Sequence, residues 1–295
     1  NKYGGTFLLG SPNTLTYSLF NYLYNKYVVN LKEADDEIKV FHKNGYLKPN
    51  LNFKDEVAKL IETLDENRSI KNKGYIQFLL DENSINIIRN ILKSSKFQIL
   101  KNKIEKYFNL KMYLINAVVQ RNLPLDKEIE HKTNVYSNNY HVDYYIMNYF
   151  KMFINLQDVD ETQGPMNLYS KKNSKKFISL NNYKNRTKYN LNNEKELGVI
   201  KNTGSMGDLF VCSTPQCLHR ASSPEKGKKR DMLFLSFAVT SESDNSSQDL
   251  LSFENNFYDD IWSHGTHLKK NLCKPKSARK QLYLFKQFIK NRIKN

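Results

Sequence analysis

The sequence predicts an α+β protein that is mainly β at its centre: a sandwich or barrel of short strands, preceded by helices and followed by one more. Three observations carry this. Apolar residues recur at helical spacing through the first third of the chain; after Leu110 the apolar runs shorten, alternate and are bounded by Gly, Pro, Asn or Ser; and the C-terminal stretch returns to helical spacing. A chain of 295 residues, 39% of them hydrophobic, can bury a sizeable core as one large domain with appendages.

Residues 1–38 read as an N-terminal extension whose aromatic-rich stretch, Leu15 to Val29, is expected to form a helix against the main body. Phe41 to Leu47 reads as a short strand-like segment with a turn at Gly45. Asn52 is placed to cap a helix over Phe53 to Leu64, where Val57, Leu60, Ile61 and Leu64 share a face and Asp55 and Glu56 suit the first turn. A second helical block covers Ser84 to Tyr107, with Ile85, Ile87, Ile88, Ile91 and Leu92 on one side and lysines opposite. Strands are expected over Met112–Val119, Asn134–Val142, Phe150–Leu156, Leu197–Lys201, Asp208–Cys212 and Met232–Thr240, with polar loops at Leu123–Asn139 and Ser170–Lys195. Past a polar loop expected at Ser241–Gln248, Lys276 to Lys294 is expected to form a basic amphipathic helix through Leu282, Phe285, Phe288 and Ile289. The expected organisation is an extension (1–38), one catalytic domain (39–240) and a C-terminal loop and helix packed on the same domain (241–295).

The formal charge of +16 points first to nucleic acid or an anionic membrane. The excess is spread along the chain, however, with Asn, Ile, Tyr and Phe accompanying Lys throughout, which marks a general compositional bias rather than a binding patch. Three cysteines (Cys212, Cys217 and Cys273) are an odd number in a long chain, so a disulfide framework is not expected and a reducing, cytoplasmic setting is. No apolar run approaches the ~18 residues of a membrane span.

The chemistry lies in His141, Asp143 and His219. Two imidazoles and a carboxylate on one face of a metal leave three positions open, the arrangement of non-haem Fe(II) oxygenases that bind a co-substrate and O2 together. Arg230, eleven residues beyond His219, has the planar fork that holds a carboxylate by two parallel hydrogen bonds, so the implied co-substrate is a dicarboxylate. Singly, each histidine reads better as a satisfied structural residue. A rival zinc site would use Cys212, Cys217 and His219, but it is short of a fourth ligand and lacks a Cys-x-x-Cys pair. His264 and His267 form a His-x-x-His near Trp262, and Gly164-Pro165 reads as a turn between strands. Arg220 reads either as a solvated strand-edge residue or as a contact for an acidic substrate.

From Phe41 to about Thr240 the chain resembles the phytanoyl-CoA dioxygenase family of Fe(II)/2-oxoglutarate oxygenases. Five blocks in order carry the resemblance: Phe41-His42-Lys43-Asn44-Gly45-Tyr46 with Asp55-Glu56-Val57-Ala58; Tyr140-His141-Val142-Asp143; Asn155-Leu156-Gln157-Asp158-Val159; Gln163-Gly164-Pro165-Met166; and Gly207-Asp208-Leu209-Phe210 through His219 to Arg230. It implies a double-stranded β-helix (jelly roll, cupin-like) core wrapped by helices. It further implies Fe(II) on His141, Asp143 and His219, with Arg230 on the distal carboxylate of 2-oxoglutarate.

Asn116 or Gln120 is expected to meet the other end of the co-substrate, and Phe153 to wall it. Relatives often place a serine two residues after the distal histidine; this chain has Ala221 there and Ser222 beside it, so Ser222 is the expected contact. The implied reaction consumes O2, releases succinate and CO2, and hydroxylates, desaturates or cyclises a small to medium metabolite. Because Asp143 is not a small residue, halogenation is disfavoured. The polar loops point to a polar or anionic substrate, and neither nucleic acid nor a transmembrane segment is expected. Two other readings stand beside this one: a basic nucleic-acid- or membrane-binding protein that keeps the fold without turnover, and a demethylase of the same chemistry.

Overall fold

The structure is a computed structural model of the chain; it describes Tyr22 and residues 29–109, 111–126, 138–143, 149–180 and 198–240, with the backbone alone at 113, 115, 238 and 240. Apart from Tyr22 and Val29, the expected helix at Leu15–Val29 lies outside the described residues, as do Lys276–Lys294, the Ser241–Gln248 loop, Cys273 and the His264/His267 pair.

Helix α1 (Asp36–Asn44) starts where the Asp35 carboxylate accepts from the Ile38 N–H at 2.9 Å, with Asp36 and Glu37 in the first turn. It ends at Gly45, whose φ of 79° lets its N–H close onto the Phe41 carbonyl. Phe41 therefore belongs to the last helical turn, correcting the strand-like reading, and only Tyr46–Leu47 is extended, as β1. The two caps bracket nine residues whose Ile38 and Phe41 face the core, and local capping outweighs the short apolar run.

Helix α2 (Lys54–Glu62) follows, with Asn52 Oδ1 accepting from Lys54 N–H at 2.9 Å and Val57 and Leu60 fully buried. The expected single block at Ser84–Tyr107 is two helices, α3 (Glu82–Lys93) and α4 (Ser95–Phe108). Ser94 separates them: its hydroxyl donates back to the Ile91 carbonyl at 2.7 Å and accepts from Phe97 N–H at 3.4 Å, so one side chain closes both helices. Strands β2 (Ser69–Asn72) and β3 (Tyr75–Phe78) form a hairpin turning at Gly74, φ 82°. Neither strand is anticipated by the apolar pattern, because β2 is almost wholly solvated.

The remaining strands are β4 (Lys111–Asn122), β5 (Tyr149–Asn155), β6 (Met166–Leu168), β7 (Ile200–Lys201), β8 (Leu209–Cys212), β9 (His219–Ala221) and β10 (Arg230–Thr240). A helix α5 (Lys171–Leu180) occupies the start of the expected Ser170–Lys195 loop, burying Ser174, Phe177 and Ile178. All strand pairs are antiparallel. They form a seven-stranded sheet ordered β1-β8-β5-β10-β4-β3-β2 and a three-stranded sheet ordered β7-β6-β9.

Alternation along the strands gives the large sheet two apolar faces. Met152 and Ile154 of β5, Leu209 and Val211 of β8, and Leu233, Leu235 and Phe237 of β10 share one core with α1 to α4. The residues between them, Phe153, Phe210, Cys212 and Met232, turn to the other face and pack against Met166 and Leu168 of the small sheet. Each fully buried apolar side chain contributes about 1.5–3 kcal/mol on transfer from water, which locks the alternation. No helix among the described residues is long and apolar enough to cross a membrane.

Candidate metal centre

His141 and His219 face each other across an isolated antiparallel bridge, each N–H donating to the other's carbonyl at 3.0 Å. Directly opposed residues share a face, and the two rings lie 4.3 Å apart between centroids. Asp143, two residues along the same extended segment, returns to that face, and its N–H is tied to the Thr214 carbonyl at 3.0 Å. Among the described residues His141, Asp143 and His219 are the one group of His, Cys, Asp or Glu side chains able to hold a metal, with their ligand atoms all within 4.8 Å of one another. All three are buried.

The donor set fits a metal ion. His141 Nδ1 lies 2.8 Å from the Asn139 carbonyl and His219 Nδ1 lies 2.9 Å from the Cys217 carbonyl. A carbonyl only accepts, so each Nδ1 carries the proton and each Nε2 presents its lone pair to the centre. Asp143 Oδ1 stands 3.7 Å from His141 Nε2, and Oδ2 stands 4.0 Å from His219 Nε2. That spacing leaves room between them for an ion held at about 2.0–2.2 Å. Burial pushes the Asp143 carboxyl up, but the adjacent Lys151 ammonium outweighs it and holds the group well below the usual carboxylate range. Lys151 Nζ is 2.8 Å from Asp143 Oδ2.

Cys212 and Cys217 are fully buried and do not belong to the cluster. Burial pushes the Cys212 thiol up, away from the thiolate that zinc requires, and Cys217 contributes a carbonyl to orient His219 instead.

Arg230 opens β10 opposite Asn122 of β4, is buried, and donates from Nη1 to the Gly164 carbonyl. Gly164 follows a 3-10 turn at Glu161–Gln163 with φ 66°, and a Cβ there would meet Ser222 O, Ser223 C and Pro224 N at 2.5–2.6 Å. Only glycine lets the chain press against this segment while presenting its carbonyl to Arg230.

Of the two residues expected at the other end of the co-substrate, Gln120 instead stands at the arginine's end: it shares a face of β4 with Asn122 and donates to Asn122 Oδ1 at 2.5 Å, one strand step from Arg230. Asn116 pairs with Ser236, six residues from Arg230 along β10, so the register separates it from the arginine. Phe153 is buried between Phe210 and Phe234 of the adjoining strands. Ser222 lies just past β9, its N–H donating to the Pro165 carbonyl at 3.3 Å. Arg220, adjacent to His219, takes the opposite face of β9 and sits 5.1 Å over the Tyr140 ring, away from the metal ligands.

Sequence reasoning missed Asn122 and Lys151. The signal for Lys151 was available: it is a cation inside the apolar run Phe150–Leu156, on the same alternation as Phe153, and lysine is seldom buried unless paired.

No family model and no curated protein matches the chain. Solved structures resemble it at low identity. The epimerase SnoN of nogalamycin biosynthesis, described as non-haem and α-ketoglutarate-dependent, is 14% identical over 68% of this chain and 81% of its own, with a TM-score of 0.47. HygX from Streptomyces hygroscopicus, solved with nickel and 2-oxoglutarate, is 10% identical over 70% of this chain and 87% of its own, at 0.48. EctD from S. alaskensis, with 2-oxoglutarate and 5-hydroxyectoine, is 13% identical over 72% of this chain and 80% of its own, also at 0.48.

Proposed function

We propose that the chain is an Fe(II)- and 2-oxoglutarate-dependent oxygenase of double-stranded β-helix fold, similar to the phytanoyl-CoA dioxygenase family. It acts in the cytoplasm on a small to medium metabolite. The observation that carries this reading is the buried His141–Asp143–His219 cluster with both Nε2 atoms turned inward. Residues 39–240 form the catalytic domain, and 1–38 and 241–295 are appendages to it.

The metal, when bound, supplies the redox chemistry: O2 coupled to decarboxylation of 2-oxoglutarate, with succinate and CO2 released and the substrate hydroxylated, desaturated or cyclised. The chain does the rest. The Asn139 and Cys217 carbonyls hold the two imidazoles in the ligating tautomer. Arg230, steadied by Gly164, receives the distal carboxylate of the keto acid, with Gln120 and Asn122 beside it. Phe153, Phe210 and Phe234 exclude water between the arginine and the metal ligands and so strengthen the electrostatic contacts there.

The test is anaerobic titration with Fe(II) and then 2-oxoglutarate, followed by measurement of succinate on admitting O2. Metal-dependent succinate release that is lost in His141→Ala and Arg230→Ala is expected. A protein that neither binds Fe(II) nor consumes 2-oxoglutarate would overturn the reading.

A further inference from the structure

The register of the large sheet arranges the face that meets the small sheet into rows. Cys212, Lys151, Ser236 and Asn116 lie side by side across β8, β5, β10 and β4. The next row is Phe210, Phe153, Phe234 and Val118, then come Asn155, Met232 and Gln120, and last Arg230 with Asn122. An aromatic row thus separates two polar zones. Arg230 and Ser236 stand about 20 Å apart along β10 at ~3.4 Å per residue, far more than a five-carbon dicarboxylate spans.

The zone away from Arg230 is joined to the metal ligands, because Lys151 reaches up to Asp143. Ser236 is buried, and Asn116 holds a buried Oδ1 with no hydrogen-bond partner among the described residues. An unpaired buried acceptor is costly, and a bound donor would satisfy it.

Charge points the same way. Lys151 offsets Asp143 in the metal-free site. A divalent ion, Arg230 and Lys151 together carry four positive charges against three negative ones on 2-oxoglutarate and Asp143, so one positive charge is left over, and Lys151 is the cation beside the metal ligands that carries it once the ion takes Asp143. Among the described residues no further carboxylate joins the cluster.

We propose that Lys151, Ser236 and Asn116 form the primary-substrate subsite, and that the substrate carries a carboxylate, held by Lys151, beside a hydrogen-bond donor such as an ammonium or hydroxyl group, held by Asn116. The substrate class is therefore an amino or hydroxy acid or a derivative that keeps that head group. This assignment rests on the oxygenase reading for the position of the co-substrate.

The experiment uses the full chain loaded with Co(II) and saturated with 2-oxoglutarate, and reads the 19F line width of trifluoroacetate against that of neutral trifluoroacetamide, since proximity to the paramagnetic ion broadens the line. The wild-type protein should broaden the carboxylate probe at least about fivefold more than the amide, as a charge-assisted contact requires. Lys151→Met and Lys151→Gln should bring the two probes level, and Lys151→Arg should keep the preference. Equal broadening of both probes by the wild type overturns the proposal, as does an undiminished preference in Lys151→Met. The wild-type comparison decides even if a neutral variant does not fold. Calorimetric binding of 2-oxoglutarate to the same Co(II) protein is the separate control: its absence sinks the oxygenase reading, whereas its presence without a carboxylate preference sinks only the subsite.

Discussion

His141 and His219 exchange both backbone hydrogen bonds at 3.0 Å, so two residues far apart in the chain occupy directly opposed positions of one antiparallel bridge. The pairing, rather than the side chains, sets the 4.3 Å separation of the rings. Replacing either imidazole removes a donor without disturbing the bridge. His141→Ala and His219→Ala should each lower Co(II) affinity by at least about a hundredfold, as measured by calorimetric titration, because loss of a ligand costs more than loss of an orienting partner. A variant that binds Co(II) as tightly as wild type would remove that histidine from the ligand set.

Lys151 and a metal ion compete for Asp143. Their separation of 2.8 Å, with the carboxylate buried and the lysine half-buried, makes the ammonium a resident rival for the carboxylate. Lys151→Met should therefore tighten Co(II) binding at pH 7.5 by about tenfold, equivalent to ~1.4 kcal/mol. Weaker binding would show that the lysine orients Asp143 rather than opposing the ion.

Arg230→Lys keeps the charge but loses the planar fork and the donation to Gly164. Affinity for 2-oxoglutarate in the metal-loaded protein should fall about 10- to 100-fold, the cost of one or two charge-assisted hydrogen bonds, while metal affinity stays within about twofold, since the arginine is not one of the three metal ligands. Calorimetry of the two steps separates the effects.

Gly164→Ala places a Cβ 2.5 Å from the Ser223–Pro224 backbone at a φ of 66°. Backbone cannot yield as a flexible side chain would, so a loss of about 2–4 kcal/mol in urea unfolding is expected. Because the Gly164 carbonyl anchors Arg230, 2-oxoglutarate affinity should fall with it.

His42 titrates outside the metal centre. Burial, and then the nearby charge of Lys171, lower its imidazole from the ordinary 6.5 to about 4, and its Nδ1 lies 2.5 Å from the Tyr107 hydroxyl. Above pH 6.5 neither the folded nor the unfolded state binds the proton. Between 6.5 and about 4 the unfolded chain takes it up and the folded one does not, so stability is lost as pH falls through that window. His42→Gln should reduce the difference in unfolding free energy between pH 7 and pH 4.5 by about 1–2 kcal/mol, after allowing for the partly exposed ring. An identical pH dependence in the variant would show that the ring protonates equally in both states.

Much of the fold was legible locally. The Asp55–Glu56 pair marks the start of α2, and alternation marks β5, β8 and β10 to within two residues at each end. Signals overlooked rather than absent include Ser94, a cap in the middle of an apolar-periodic block, and Gly74, the turn of a hairpin with little apolar content. Strands β6 and β9, three residues each, are too short to show a period at all.

The sequence by itself determined the donor types, two imidazoles, a carboxylate and a guanidinium, and which residues of each strand share a face, because side-chain period and ligand chemistry are local properties. Only the tertiary structure decided which residues meet. The register placed Gln120 and Asn122 beside Arg230 and moved Asn116 next to Ser236, turned Arg220 away from the site that His219 enters, and set Lys151 beneath Asp143. Strand register is a non-local quantity, fixed by burying one face of each strand against its neighbours and by satisfying backbone hydrogen bonds across the sheet, and no window of sequence contains both partners.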